Sequence, residues 1–329
     1  MIYMESHSTD PRFNLALEQY VFDEMPREES YFSLWHNDNT IVIGKHQNTA
    51  EEINHKFVKE HDITVVRRLS GGGAVYHDMG NINFTFITDA GNLEGLNLHA
   101  FCEPVVRTLK TVGIDAVSGG RNDILIDGKK FSGNAQYVKE GRIMHHGTLM
   151  FDSDLSVVAQ ALNVSEDKFV SKGFKSVHSR VTNIAPCMKV PMDMNGFKEL
   201  LKKNMVAQNG LSEYQLTRDD LDRIHQIKAE RYDTWEWNYG FSPEYQVKKN
   251  RRFEGCGQIC LYMDVDGGKI TAIDCSGDFF GDGMTDELKS RLTGCELKES
   301  SLRQKLEGFP VEKSFANFSV DKLIGLLLE

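Results

Sequence analysis

The apolar positions of this chain fall into short strand-like runs broken by stretches of helical spacing. After Asp10 and Pro11, the residues Phe13, Leu17, Tyr20 and Val21 recur at helical intervals. Aspartate followed by proline suits an N-cap and first turn, so a helix is predicted there. "YFSLWH" and "TIVIGKH" read as strands joined by the turn residues "NDN", and "AEEINHKFVKEH" reads as a helix. "ITVVRRL" is rich in β-branched residues and runs into three consecutive glycines, after which "AVYHD" and "NINFTFIT" continue as strands. A helix is predicted over about 97–112, ended by Gly113. "DILI", "DG" and "KKFSG" form a hairpin signal, because Asp-Gly tolerates the positive φ of a tight turn. "RIMHHGTLMFD" predicts another strand and "DLSVVAQAL" a short helix. Strands dominate this half without strict strand–helix alternation. That favours an α+β fold, a mixed sheet with covering helices, over a doubly wound parallel sheet.

From about 191 to 231 the pattern is mainly helical, and "TWEWNYGFSPEYQVKKNRR" is aromatic and polar, which reads as a junction between domains. "GQICLYMDVDGGKITAIDCSGDFFG" then predicts a hairpin around "DGG", followed by helices near 284–293, 299–306 and 319–328. Two domains are expected, a large one over 1–245 and a small α+β unit over 246–329.

Composition adds exclusions. With 329 residues, 40% hydrophobic and 26% charged, the chain has the make-up of a soluble globular protein. No apolar run approaches the roughly 18 residues of a membrane span. "MIYMESHSTDPRFN" lacks the charged and apolar regions of a signal peptide, so a cytoplasmic location without a membrane partner is expected. A net charge of −10 argues against nucleic-acid binding, despite local basic clusters in "KGFKSVHSR" and "KKNRR". Cys102, Cys187, Cys256, Cys260, Cys275 and Cys295 are spaced too irregularly for a zinc site and are expected to be free thiols in a reducing compartment.

Three stretches carry candidate chemistry. "VRRLSGGGAVYHD" offers a glycine turn with Arg67 and Arg68 beside it, which suits either a phosphate nest or a tight strand-to-strand turn. The hairpin sets Asn122 and Asp123 against Lys129 and Lys130, a pairing that serves a phosphate and Mg²⁺ pocket or a solvated cross-strand salt bridge. In "HHGTL" the adjacent His145 and His146 face opposite sides of a strand, so at most one enters a site. "KGFKSVHSRVTNI" adds a basic flap, either a surface strand or a binding loop.

Taken together and in this order, "RRLSGGGAVYHD", "GRNDILIDGKKFSGNAQ", "HHGTL" and "KGFKSVHSRVTN" resemble the lipoate–protein ligase family. The resemblance runs into the C-terminal unit, where "TWEWNYGFSPE" is similar to the two-domain form. It implies a catalytic domain of the biotin/lipoate protein ligase type with a small accessory domain. It also implies a two-step reaction, in which lipoate and ATP with Mg²⁺ form lipoyl-AMP and the lipoyl group then passes to a carrier lysine. Lipoyl carrier domains of 2-oxoacid dehydrogenase complexes and the glycine-cleavage H protein are the implied partners. By the same resemblance Lys130, directly before "FSG", is the catalytic lysine, and Arg68 lies near the adenylate. Ser70, Gly71, Gly72 and Gly73 surround the acyl group and adenylate, and the backbone of Val75 and Tyr76 reads the adenine edge. Asn122 and Asp123 contact nucleotide and metal, His146 and Thr148 line the adenylate, and Trp35 and His77 wall the acyl slot. Lys175 and Arg180 belong to the basic segment, where His178 stands in place of the arginine the family leads one to expect.

Two rival functions remain at this point. A cysteine-dependent octanoyl or lipoyl transferase needs an activated thiol, for which Cys187 is the one candidate. A non-catalytic lipoate-binding protein would keep the pocket but not turn over. Burial of the acyl tail at about 0.8 kcal/mol per methylene favours a medium chain but separates lipoate from octanoate poorly.

Overall fold

A computed structural model describes residues 1–89, 98–119, 122–162, 181–209, 212–240, 247–266, 268–281 and 284–328. Its strands in chain order are β1 (Ile2–Glu5), β2 (Tyr31–Trp35), β3 (Thr40–Ile43), β4 (Thr64–Arg67), β5 (Val75–His77), β6 (Asn81–Asp89), β7 (Ala116–Gly119), β8 (Asp123–Ile126), β9 (Lys129–Lys139), β10 (Arg142–Met150), β11 (Ser212–Glu213), β12 (Val247–Phe253), β13 (Gly257–Asp266) and β14 (Lys269–Gly277). Eight of them form one mixed sheet in the order β11-β1-β2-β6-β10-β9-β8-β7. The pairings of β1 with β11 and β2 are parallel, and the rest of this sheet is antiparallel. A small sheet β4-β3-β5 lies apart from it.

The alternation of β6 explains how the large sheet is covered. Ile82, Phe84 and Phe86 enter a core with Val105, Leu109, Phe197 and Leu201, from the helices Leu98–Thr111 and Met194–Asn209. On the opposite face, Ile87 packs in a second core with Leu15, Val21 and Phe22 of α1 (Pro11–Glu24) and Ile224 of the helix Arg218–Ile227. That helix α1 starts where predicted: Asp10 accepts a hydrogen bond from the Arg12 N–H at 2.9 Å, and Pro11 occupies the first turn. The Asp127–Gly128 turn has φ of 50° and 75°, the two positive angles that let β8 return as β9.

The C-terminal sheet β12-β13-β14 is covered by the helices Thr285–Leu292, Glu299–Lys305 and Val320–Leu328, with an unpredicted helical turn at Val311–Ser314. Its core, with Leu261, Phe279, Phe315 and Leu327, is drawn entirely from residues beyond 246. Trp235–Asn238 form a helical turn tied to the end of β4 by Arg67, and "VKKNRRF" is β12. Side chains that look polar and linker-like locally are used there in long-range hydrogen bonds. Cys102, Cys256, Cys260, Cys275 and Cys295 are buried thiols outside any disulfide, while Cys187 is half-buried. Among the described residues no helix is long and apolar enough to cross a membrane.

Three of the buried histidines, His46, His77 and His145, make this fold acid-sensitive. Desolvation, aided by Lys45 and Arg67, lowers the pKa of His46 to about 3; desolvation and Arg68 do the same for His77; burial holds His145 well below its ordinary 6.5. Below pH 6.5 the unfolded chain takes up protons that the folded chain refuses, so stability is complete above 6.5 and declines towards pH 3. Each group contributes up to about 1.4 kcal/mol per pH unit in that window. The melting temperature should therefore fall steeply between about pH 6 and pH 4.5, with a shallower fall for His46→Gln. A flat profile over that range would contradict this account.

Candidate active site

The glycine loop between β4 and β5 is shaped by Arg68. Its guanidinium donates from Nη2 to the carbonyls of Gly71 (2.7 Å) and Gly73 (2.9 Å), from Nη1 to that of Val42 (3.1 Å), and from Nε to Ser70 Oγ (3.0 Å). Four of its five N–H donors are thus occupied in holding the loop, leaving one for a ligand. Burial lowers its pKa to about 10, an effect partly offset by Glu18. The glycines meet two steric demands. Gly72 adopts φ +90°, and a Cβ on Gly71 would lie 2.4 Å from the carbonyl oxygen of Phe279 in the accessory unit. Of the three, Gly73 lines the cavity. Arg67 faces away, as strand alternation requires, and binds backbone carbonyls beneath the loop.

The floor of the cavity is a single cross-strand row of the large sheet. Register places Trp35 of β2 opposite Asn83 of β6, Asn83 opposite Thr148 of β10, and Gly133 of β9 opposite Asp123 of β8. Thr148 closes the gap between them by accepting the Gly133 N–H at its Oγ1 (3.2 Å). Directly paired residues share a face, so the row is continuous. Lys130 reaches back over Gly133, its Nζ 3.0 Å from where a Cβ would sit there, and pairs with Asp123 Oδ1 at 2.7 Å. Lys129 is exposed and outside the cavity. Asn122 donates from Nδ2 to the Asn134 carbonyl (2.9 Å), which fixes the start of the row. Immediately after the undescribed segment that contains Lys175 and Arg180, Val181 bridges to Lys130, and Thr182 N–H donates to the Lys130 carbonyl (2.9 Å). Lys175, Arg180 and His178 themselves lie outside the described residues.

Above the floor runs a buried polar chain. Trp35 Nε1 donates to Thr85 Oγ1 (2.9 Å), Thr85 donates to Glu18, and Glu18 Oε1 is 3.0 Å from His146 Nδ1. A carboxylate only accepts, so His146 carries a proton on Nδ1, and its Nε2 is hydrogen-bonded to Ser70 Oγ at 2.6 Å. Ser70 in turn accepts from Arg68. His145, its neighbour, is stacked on Phe101 across the sheet, so one of the two histidines enters the site. His77 and Val75 line the cavity, whereas the Tyr76 hydroxyl donates away from it to Asn39 Oδ1 (3.0 Å). The backbone of β5 is paired on one side, to β3, and is the edge of its sheet on the other.

These groups surround a cavity of about 510 Å³. Its mouth is shared with the accessory unit, through Arg252, Phe253, Gly255 and Asp278. Arg252 Nη2 pairs with Asp278 Oδ2 at 3.0 Å. The seam beside the glycine loop is closed by His46 stacked on Phe279 (4.8 Å) and by the Gly277 N–H donating to the His46 carbonyl (2.9 Å). Glu18, Asn83 and Asp278 carried no sequence signal of a site, and Arg252 stood out only within the basic cluster "KKNRR", since each joins the site through pairing between distant segments. Among the described residues no group of three or more His, Cys, Asp or Glu side chains could hold a metal. The donor set instead fits an ion held chiefly by a nucleotide's own phosphates with Asp123 as its carboxylate. Chemically, the cavity joins a cationic, carboxylate-bearing head at Lys130 and Asp123 to an end bordered by Leu15, Trp35 and Val42. That is the shape of a site for an acid with a long tail.

Comparison with known proteins points the same way. Residues 10–206 match the lipoyl protein ligase A/B catalytic domain, and residues 242–327 match the bacterial lipoate protein ligase C-terminus. The chain is 43% identical over 331 residues to lipoate–protein ligase LplJ of Bacillus subtilis, covering 99% of this chain and 100% of that one. It is 41% identical over 319 residues to lipoate–protein ligase 1 of Staphylococcus aureus, with 97% of each covered. Among solved structures, P. falciparum LipL1 in complex with lipoate shares the fold, with a TM-score of 0.83 at 24% identity over 99% of both chains. A bipartite lipoate protein ligase from Thermoplasma acidophilum, described together with its E2 lipoyl domain, aligns with a TM-score of 0.63 at 25% identity, over 75% of this chain and 98% of that one.

Proposed function

This chain belongs to the lipoate–protein ligase family, and from that premise we propose that it activates lipoate with ATP and transfers the lipoyl group to a lysine of a lipoyl carrier domain. The observation that carries the reading is Lys130, held over Gly133 at the charged head of a cavity whose floor leads to Trp35. Lys130 brings the lipoate carboxylate and the α-phosphate of ATP together and offsets the negative charge that builds as a carboxylate oxygen attacks phosphorus. The bond from phosphorus to the pyrophosphate oxygen breaks, leaving lipoyl-AMP. Asp123 gives up its ion pair with Lys130 as the anions arrive, and its freed carboxylate is the one that would hold Mg²⁺ with the phosphates. His146, Thr148 and Asn122 lie along the adenylate, and the β5 backbone at Val75 and Tyr76 reads the adenine edge. The glycine loop, kept in shape by Arg68 and Ser70, closes over the anhydride. In the second step the amine of the carrier lysine attacks the acyl carbon, the bond to AMP breaks, and a lipoyl-lysine amide remains. Lys175 and Arg180 supply positive charge towards the nucleotide or an acidic carrier. Carriers of the 2-oxoacid dehydrogenase and glycine-cleavage type are the proposed partners, the large unit over 1–245 performs the chemistry, and the unit over 246–329 covers its mouth.

The test is pyrophosphate release by the purified protein given lipoate, ATP and Mg²⁺, followed by labelling of purified lipoyl domains. Both are expected, and both should persist in Cys187→Ala. Cys187 Sγ donates to the Asn183 carbonyl at 3.5 Å, and the residue is not among those lining the cavity. Loss of transfer in Cys187→Ala would favour a thioester relay. Adenylate formation without transfer to any carrier would mean that an accessory protein completes the reaction.

A further inference from the structure

At its inner end the cavity is bordered by Leu15, Trp35 and Val42, yet two nitrogen donors stand among them. Asn83 lines the cavity on the face it shares with Trp35 and Thr148, and its Oδ1 accepts from Asn81 Nδ2 at 3.0 Å, which leaves its Nδ2 for another partner. That nitrogen is buried and has no hydrogen-bond partner among the described residues. His77 lies edge-on to Trp35, with ring centroids 6.2 Å apart. Asn14 Nδ2 donates to Asn37 Oδ1 (3.0 Å), so Asn37 turns its own Nδ2–H towards His77 Nδ1 (3.1 Å). His77 Nδ1 is therefore an acceptor and the ring proton sits on Nε2, which is likewise buried without a partner among the described residues. The depressed pKa of His77 keeps this neutral tautomer in place at ordinary pH. Buried N–H groups are almost always paired, so two unpaired ones at the end of a slot point to an acceptor on the ligand.

Distance identifies which part of the ligand reaches them. From Gly133, beneath the Lys130 ammonium, to Asn83 is two strand spacings, about 10 Å. An extended chain of roughly seven or eight carbons, with bonds of about 1.5 Å bent at each atom, covers that length.

We infer that Asn83 and His77 read the distal end of the acyl group, donating Nδ2–H and Nε2–H to the ring sulfurs of a dithiolane, and so set the preference for lipoate over octanoate. The inference rests on the ligase reading. Sulfur is a weak acceptor, whereas an alkyl end is none and leaves both donors unpaired. A slot lined by methylene contacts alone would barely separate the two acids; a slot with buried donors rejects the one that lacks an acceptor.

The test compares lipoate, octanoate and 5-cyclopentylpentanoate, which keeps the ring but has no sulfur, by kcat/KM for pyrophosphate release. The unaltered protein should use lipoate about tenfold better than the cyclopentyl acid, and Asn83→Leu should shrink that ratio to near one. Equal use of the two ring acids by the unaltered protein, or an unchanged ratio in Asn83→Leu, overturns the inference. Calorimetric binding of the same acids to the unaltered protein reads the slot independently of turnover and of how the variant folds. If no acid releases pyrophosphate the ligase reading fails, while the binding ratio still decides whether these donors select sulfur.

Discussion

Lys130→Ala should reduce lipoyl-AMP formation by roughly a thousandfold, the loss expected when a preorganised charge is removed from the developing transition state. The fold should survive. Lys130 and Asp123 are each about one-third exposed, at 35% and 33%, so their 2.7 Å ion pair is screened and contributes no more than about 1 kcal/mol. In a chain of this size that corresponds to a melting shift of at most about 3 °C. Asp123 would simply hydrate. The discriminating measurement is pyrophosphate release beside a melting curve: lost activity with an unchanged melt supports a chemical role, and a collapsed melt makes Lys130 structural. Lys130→Arg should not rescue. The ammonium reaches over Gly133 as a compact point charge, which a planar guanidinium does not reproduce.

How far the sequence could lead is clearest at particular residues. Asp10 and Pro11, the Asp127–Gly128 turn and the opposed faces of His145 and His146 are decided by neighbours a few positions away, so local pattern suffices. Glu18 and Asn83 are different. In isolation each is a polar residue on an amphipathic element and reads as solvated. They are buried because α1 and β6 are packed against partners distant in sequence, and no local period encodes that. The triple glycine is legible as a nest or a tight turn, but not why it is bare: a Cβ on Gly71 would strike the Phe279 carbonyl, which lies far along the chain. The accessory unit is thus written into the catalytic loop itself. Likewise, "RR" alone announces charge near the glycines, and the family resemblance singles out Arg68 without saying how it is held. Strand alternation sends one to each side, and only the assembled sheets show that Arg68 holds the loop from within while Arg67 lies beneath it.

Arg67 is where the largest effect on stability is expected, and the reason is the number of groups that depend on it. Its guanidinium donates to the carbonyls of Gly44 (2.9 Å), Lys45 (3.1 Å), Gln47 (2.6 Å) and Trp237 (2.9 Å) and to Thr49 Oγ1 (2.6 Å). Its backbone is held as firmly, with the N–H donating to Asn238 Oδ1 (2.9 Å) and the carbonyl accepting from Trp237 Nε1 (2.8 Å). One side chain therefore joins the loop after β3 to the helical turn at Trp235–Asn238. Arg67→Met keeps most of the volume but leaves several buried carbonyls without a donor, at about 1–3 kcal/mol each before relaxation. A net loss of about 4 kcal/mol is expected, a large share of the stability of a natural domain. Arg67→Lys should recover little, because three donors on one nitrogen cannot span acceptors arranged around a planar fork. Denaturant unfolding measures the loss, and lipoate binding to the residual folded fraction separates it from any effect on the pocket. If Arg67→Met unfolds at the same denaturant concentration as the unaltered chain, the guanidinium is not the tie between these two segments.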